Sequence, residues 1–287
     1  GWPMTTVDLS DLKVQEAEKE TTASLVRGVL AQLAQGGYEV AGFDMYAVSS
    51  VLPGSGLSSS AACEVLLGTA GNHLFCGDAY DAVTIARIGQ KAENIYFGKP
   101  SGLMDQTASS VGDTVAIDFA NPEAPVVRPI EANLEGLGLA LCIIDCGADH
   151  AALTGEYASI PQEMCQVAAY FGKKVLREVN EADVLANLSA LRQKVGDRAV
   201  LRALHFYADD QRAVEEADAL ASGEKEIFLN LVKESGRSSW ELLQNITPAA
   251  AVAHQDMAIA LTVAEKALNG EGACRVHGGG FAGTIQA

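Results

Sequence analysis

Gly54, Ser55, Gly56, Leu57, Ser58, Ser59 and Ser60 stand between a strand-like stretch and a helical pattern. The glycines let the backbone turn tightly and come close to a ligand. The serines supply hydroxyls and are suited to cap the helix that follows. The opening N–H groups of that helix have no internal partners and carry the positive end of its dipole, a setting that suits a phosphate. The loop is not a Walker A motif, because no G-x-x-x-x-G-K-[ST] occurs in the chain. Nor is it the Rossmann fingerprint, since Ser59 stands where the third glycine is required. Taken alone, the segment reads rather as a serine-capped helix after a flexible turn.

Two carboxylates follow. Asp105 opens a short helix behind the glycine-bearing loop GKPSG. A carboxylate there can stabilise the helix N-terminus or take part in proton chemistry. Glu93 lies on a helix expected over Tyr80 to Phe97 and flanks its apolar stripe, Ile85, Ile88, Ala92 and Ile95. Gly89, one turn earlier, is expected to leave room for a ligand; a solvated flank is the plain alternative for Glu93. Tyr157, in LTGEY, reads as a half-buried tyrosine at a helix start, and His150 as a surface or structural histidine.

The elements that must position these residues alternate irregularly. Strands are expected at Thr6 to Leu9, Phe43 to Val48, Thr114 to Asp118, Leu137 to Asp145 and Ala273 to Val276. Helices are expected at Leu12 to Gln35, after the serine loop, from Met104, and at Gln162 to Val175, Ala182 to Lys194, Arg198 to Ala221, Glu224 to Glu234 and His254 to Leu268. This order is not a regular βαβ alternation, so the class is α+β. A polar, proline-bearing stretch from Phe119 to Glu131 is the expected domain break, giving 1–120 and 121–287. With 20 Lys plus Arg against 37 Asp plus Glu, the net charge is −17. That argues against nucleic acid or an anionic membrane as a partner. The longest fully apolar run, Leu137 to Ile144, falls far short of the ~20 residues that cross a bilayer. Six cysteines without a C-x-x-C pair suit a reducing cytoplasm.

Three segments occur in an order that resembles the GHMP kinases, and within them most closely the galactokinases: PGSGLSSSAA (Pro53 to Ala62), GKPSGLMDQ (Gly98 to Gln106) and GACRVHGGGFAG (Gly272 to Gly283). The likeness runs from about Val7 to the end. It implies a two-lobe α+β fold, with a ribosomal-protein-S5-domain-2-like N-lobe and a ferredoxin-like C-lobe, each incomplete. It implies transfer of the ATP γ-phosphate to the C1 hydroxyl of D-galactose. By the same resemblance Gly54 to Ser60 hold the nucleotide phosphates, and Ser60 and Glu93 bind Mg²⁺. Asp105 acts on the sugar hydroxyl. Gly102, Asp105 and Tyr157 touch the sugar, and Gly278 to Gly280 pack near the phosphate loop.

The sequence departs from the family in places. Ala282 and Thr284 replace a glycine and a cysteine, and IIDCGADH stands where galactokinases carry Asn and Arg ahead of the tyrosine. The family's first motif, whose E-H-x-D reads the sugar hydroxyls and whose Arg supports transfer, is absent. The chain opens directly into TTVDL and stops at GTIQA, so it reads as the middle of a longer kinase. Its implied partners are a small sugar and ATP, on a monomer or weak dimer. An N-acetylgalactosamine kinase, another small-molecule GHMP kinase, or a non-catalytic galactose/ATP sensor are the alternatives. The 287-residue chain by itself is expected to be inactive or nearly so in a coupled ADP-release assay with galactose; robust turnover would show the absent motif to be dispensable.

Overall fold

The computed structural model describes residues 4–51, 57–147 and 153–287, apart from the side chain of Thr154. The chain separates into two compact units, Gly1–Pro129 and Ile130–Ala287.

The first unit packs α1 (Thr22–Gln35), α2 (Ser59–Cys76), α3 (Ala82–Lys91) and α4 (Met104–Val111), followed by a two-stranded sheet of β1 (Thr114–Asp118) and β2 (Val126–Ile130). Val29, Leu30, Leu33, Leu67, Ile88 and Ala92 form its core. Small residues let the helices approach closely: a Cβ at Gly71 would lie 2.5 Å from Leu33 Cδ1, and one at Gly28 would lie 2.8 Å from Ala92 Cβ. Asp81 caps α3, its carboxylate accepting the Thr84 N–H at 2.8 Å. Past Lys91 the helix widens into a π-turn, Ala92–Phe97. Such turns are frequent at functional sites.

Several expected elements come out differently. Thr6 to Leu9 is not a strand; it is an irregular segment tied to α1 by Arg27. The buried Arg27 guanidinium donates to both Glu18 carboxylate oxygens, at 2.7 and 2.6 Å, and to the carbonyls of Asp8 and Asp11. That bond holds the Glu18 carboxyl below, and Arg27 above, its ordinary pKa. The expected helix from Leu12 starts only at Thr22, because Glu20 takes a left-handed φ of 60° after a 3₁₀ turn at Glu16–Glu18. Phe43 to Val48 alternates like a strand but pairs with nothing among the described residues. Its Tyr46 and Val48 are 91% and 83% exposed. Alternation describes a surface, whereas a strand also needs a partner ladder. The stretch from Phe119 to Glu131, expected to hold the domain break, contains β2.

The second unit carries α5 (Thr154–Tyr170), α6 (Glu181–Ala186), α7 (Leu188–Val195), α8 (Asp197–Ala221), α9 (Lys225–Ser238) and α10 (Asp256–Leu268). Its antiparallel sheet has the order β3 (Ile143–Asp145), β5 (Thr284–Gln286), β4 (Arg275–Val276), with Ile285 facing both Ile144 and Val276. The expected strand over Leu137 to Asp145 shrinks to its last three residues, because Leu137 and Leu139 close a turn on Asn133 and Leu134. Two cores form. One gathers Val167, Leu176, Val184, Leu191 and Ala203 around α5 to α8, and the other joins α10 to the sheet through Met257, Leu261, Val276 and Ile285. Helix α5 starts before Pro161 rather than after it. The buried Arg202 donates to Ser159 Oγ and Glu163 Oε2, both at 2.9 Å, and to the Leu243 carbonyl at 3.0 Å, bracketing the proline from α8. Arg237 and Ser238 close α9, and Ser239 opens a π-helical turn that runs to Leu243.

A buried polar cluster joins α8, α9 and β4. His205 Nδ1 meets Ser238 Oγ at 2.8 Å, Ser235 Oγ donates to Asp209 at 2.6 Å, and Arg275 donates to Ser235 Oγ at 2.7 Å. Burial pushes the His205 imidazole below its ordinary 6.5; Asp209 opposes this, and Arg275 and Arg212 reinforce it. The unfolded chain therefore takes up a proton that the folded chain refuses. Stability is full above about pH 6.5 and falls as the pH drops below it. The loss in urea midpoint between about pH 7 and 5 is expected to shrink in His205→Gln. Leu191, with no exposed surface in its core, is expected to cost about 2–5 kcal/mol on truncation to Ala, read by the same unfolding experiment.

Candidate active site

Three pieces of the first unit meet. The serine segment opens α2, the π-turn carries Glu93 at its second position, and α4 carries Asp105 and Gln106 in its first turn. Ser58 precedes α2 with a left-handed φ of 54°, and its side chain makes no capping bond, contrary to the sequence expectation. Its Oγ instead donates to Asp105 Oδ2 at 2.5 Å, across 47 residues of sequence. A non-glycine residue held in this region of backbone space is strained, which is common at ligand sites. Leu57 to Ser60 are described here, whereas Gly54, Ser55, Gly56 and His150 lie outside the described residues.

The loop before α4 is fixed by side chains of the preceding helix. Asn94 accepts the Ser101 N–H at 2.7 Å and donates to the Ser101 carbonyl at 3.3 Å, and Gln90 donates to that carbonyl at 3.1 Å. Thr107 Oγ1 donates to the Leu103 carbonyl at 2.7 Å. Gly102 lies between these anchors, with open space where a Cβ would project.

Beneath Asp105 sits a buried acidic pair. Glu93 is 2% exposed and Glu64, in the second turn of α2, is 0% exposed. The Gln106 amide nitrogen donates to both, at 3.0 Å to Glu64 Oε2 and 3.1 Å to Glu93 Oε2. Lys99 Nζ approaches Glu93 Oε1 at 3.3 Å from a side chain that is 62% exposed. Burial pushes the Glu64 carboxyl up to about 7; the Gln106 bond opposes the shift, Glu93 adds to it, Lys99 opposes it and Asp105 adds to it. Glu64 Oε1 and Gln106 Oε1 are buried without a hydrogen-bond partner among the described residues. Gly89 does not leave space for a ligand: a Cβ there would lie 3.0 Å from Glu64 Cβ and 3.3 Å from Glu64 Oε2. The room it provides is filled by Glu64.

Sequence reading passed over Glu64 and Gln106. The available signal was a lone acid in the apolar run AACEVLL, four residues after Ser60 and so on the same helical face.

Among the described residues no group of three or more His, Cys, Asp or Glu is arranged to hold a metal. Glu93 and Ser60 nonetheless suit Mg²⁺, which takes one or two hard protein oxygens and completes its shell with water and phosphate. The ammonium of Lys99 on Glu93 Oε1 shows that this oxygen accepts a cation.

In the second unit Tyr157 lies in the first turn of α5. Its hydroxyl donates to the Gly280 carbonyl at 2.8 Å, and its ring meets Phe281 edge-on at 5.6 Å and 84°. Burial raises its pKa. The glycine triplet is dictated by crowding. A Cβ on Gly279 would lie 2.8 Å from the Tyr157 ring, and one on Gly280, at φ 85°, would drive into the Asn245 carbonyl. Asn245 in turn accepts the Phe281 N–H at 2.6 Å and donates to the Gly279 carbonyl at 3.1 Å.

Comparison with known proteins follows the same lines. The family described as GHMP kinases N terminal domain matches residues 24–113. A galactokinase of Streptomyces coelicolor is 32% identical over 90% of this chain and 63% of its own length. A galactokinase of Actinobacillus pleuropneumoniae serotype 3 is 31% identical over 94% of this chain and 67% of its own. The chain thus spans about two thirds of the length of these relatives, and slightly less of the first. The crystal structure of Lactococcus lactis galactokinase complexed with galactose superposes with a TM-score of 0.74 at 23% identity, over 98% of this chain and 69% of that one. The fold is α+β, of the GHMP kinase type. On sequence identity, coverage and fold together, the chain belongs to the galactokinase family.

Proposed function

We propose that the intact protein transfers the γ-phosphoryl group of ATP to the C1 hydroxyl of D-galactose. The observation that carries this reading is the 2.5 Å hydrogen bond between Ser58 and Asp105. It joins a serine–glycine loop suited to phosphate to the carboxylate suited to the attacking hydroxyl. Transfer of this kind needs little covalent work from the protein, so positioning and charge stabilisation carry it.

In this reading Gly54 to Ser60 and the opening amides of α2 hold the triphosphate. Asp105 accepts the proton of the sugar hydroxyl as its oxygen attacks the γ-phosphorus and ADP departs. Gly102, where no described residue meets a projecting Cβ, contacts the sugar. Glu93 and Ser60 hold Mg²⁺, which when bound offsets the charge of the phosphates. Lys99 donates to Glu93 Oε1 at 3.3 Å, the oxygen that would be offered to the cation. The sequence places 37 acidic against 20 basic residues, so the nucleotide is met by backbone amides and a metal instead of a basic surface. The proposal includes a monomer or weak dimer in the cytoplasm. No helix among the described residues is long and apolar enough to cross a membrane.

Asp105→Asn is expected to lower kcat by about 10²–10⁴-fold while ATP binding, followed by calorimetry, is retained. Near-normal turnover would remove Asp105 from its role. Glu93→Gln is expected to raise the Mg²⁺ concentration needed for half-maximal activity, and an unchanged titration would count against metal ligation. A panel of sugars in the same ADP assay tests the substrate: preference for N-acetylgalactosamine, or sugar binding without turnover, would replace the galactose reading.

A further inference from the structure

Glu64 has no part in the transfer outlined above, yet it lies at the centre of the residues that carry it. It is fully buried on α2, one turn beyond Ser60. A carboxyl in such a place is costly unless it is hydrogen-bonded. Its bond comes from the Gln106 side-chain amide, whose two N–H groups diverge at a fixed angle. That amide nitrogen serves Glu64 Oε2 at 3.0 Å and Glu93 Oε2 at 3.1 Å, so turning it away breaks two bonds to carboxylates. Glu93 is thereby held through Oε2, with Oε1 left to the exposed Lys99 at 3.3 Å. Gln106 also follows Asp105 directly in the first turn of α4. Gly89 shows that the site is shaped around Glu64, since a single added methyl would press on its Cβ at 3.0 Å.

We infer that Glu64 is a positioning residue: through Gln106 it orients Glu93 toward its cation and steadies the turn that presents Asp105. This rests on the reading of Glu93 as a magnesium ligand. The closest partners of a ligating carboxylate commonly alter metal affinity about 10–100-fold when removed.

The test uses the intact protein with ADP and Mn²⁺ as a spectroscopic substitute for Mg²⁺, bound metal being counted by loss of the free-ion EPR signal. Glu64→Leu removes the acceptor and is expected to weaken Mn²⁺ binding about tenfold. The Mg²⁺ needed for half-maximal turnover should rise in parallel, while the thermal midpoint stays at or above that of the parent. Glu64→Gln keeps a carbonyl acceptor for Gln106 and is expected to restore Mn²⁺ binding to within a few-fold of the parent. A purely structural role would lower the thermal midpoint and leave metal affinity unmoved, which overturns the inference. Glu93→Gln separates the two levels. If it weakens Mn²⁺ binding while Glu64→Leu does not, the inference alone fails; if it binds Mn²⁺ like the parent, both fail. Should Glu64→Leu not fold, Gly89→Ala, which presses on the same side chain, carries the same comparison.

Discussion

A single side-chain amide stands between two buried carboxylates, Glu64 and Glu93, at 3.0 and 3.1 Å. Two like charges in a low-dielectric interior repel strongly and are poorly solvated. Burial and its acidic neighbours accordingly push the Glu64 carboxyl to about 7. The surrounding fold answers this constraint. Gly89 withdraws its side chain to admit Glu64. The π-turn brings Glu93 inward while Asn94 stays free to hold the Ser101 loop. The opening turn of α4 delivers Gln106 to the pair and Asp105 to Ser58. The close helix contacts at Gly28, Gly68 and Gly71 let α1, α2 and α3 support this arrangement from behind.

The second unit has its own point of closure. Tyr157, Asn245 and the triple glycine interlock through the Gly279 and Gly280 carbonyls. The left-handed Gly280 is the one residue type that clears the Asn245 backbone. Arg202 gathers α5, α8 and the turn after α9 around a single guanidinium, and the His205 cluster does the same for α8, α9 and β4. Polar networks of this kind fix one arrangement of helices, because any shift strands a buried donor or acceptor.

Much of the secondary structure was readable from pattern. The helices over Asp197–Ala221, Lys225–Ser238 and Asp256–Leu268 follow apolar periodicity closely. The misses have distinct causes. Thr6 to Leu9 and Phe43 to Val48 carry strand chemistry but join no ladder among the described residues, and α5 runs through Pro161 because Arg202 and Tyr157 hold both sides of it. Chain-local propensity yields where tertiary bonds outweigh it.

For the site, the sequence by itself determined the cast: a serine–glycine segment before a helix, Asp105 behind a glycine loop, Glu93 beside an apolar stripe, and the glycine triplet, in the order typical of one family. It did not determine their bonds. That Ser58 reaches Asp105 instead of capping its own helix, that Gly89 makes way for Glu64 instead of a ligand, and that Gln106 bridges two acids follow from contacts between residues tens of positions apart. Periodicity reports which face of an element is apolar, but not which neighbour that face will meet. The placement of a buried charge is decided only when every element around it is in position, because its energy depends on all of them at once.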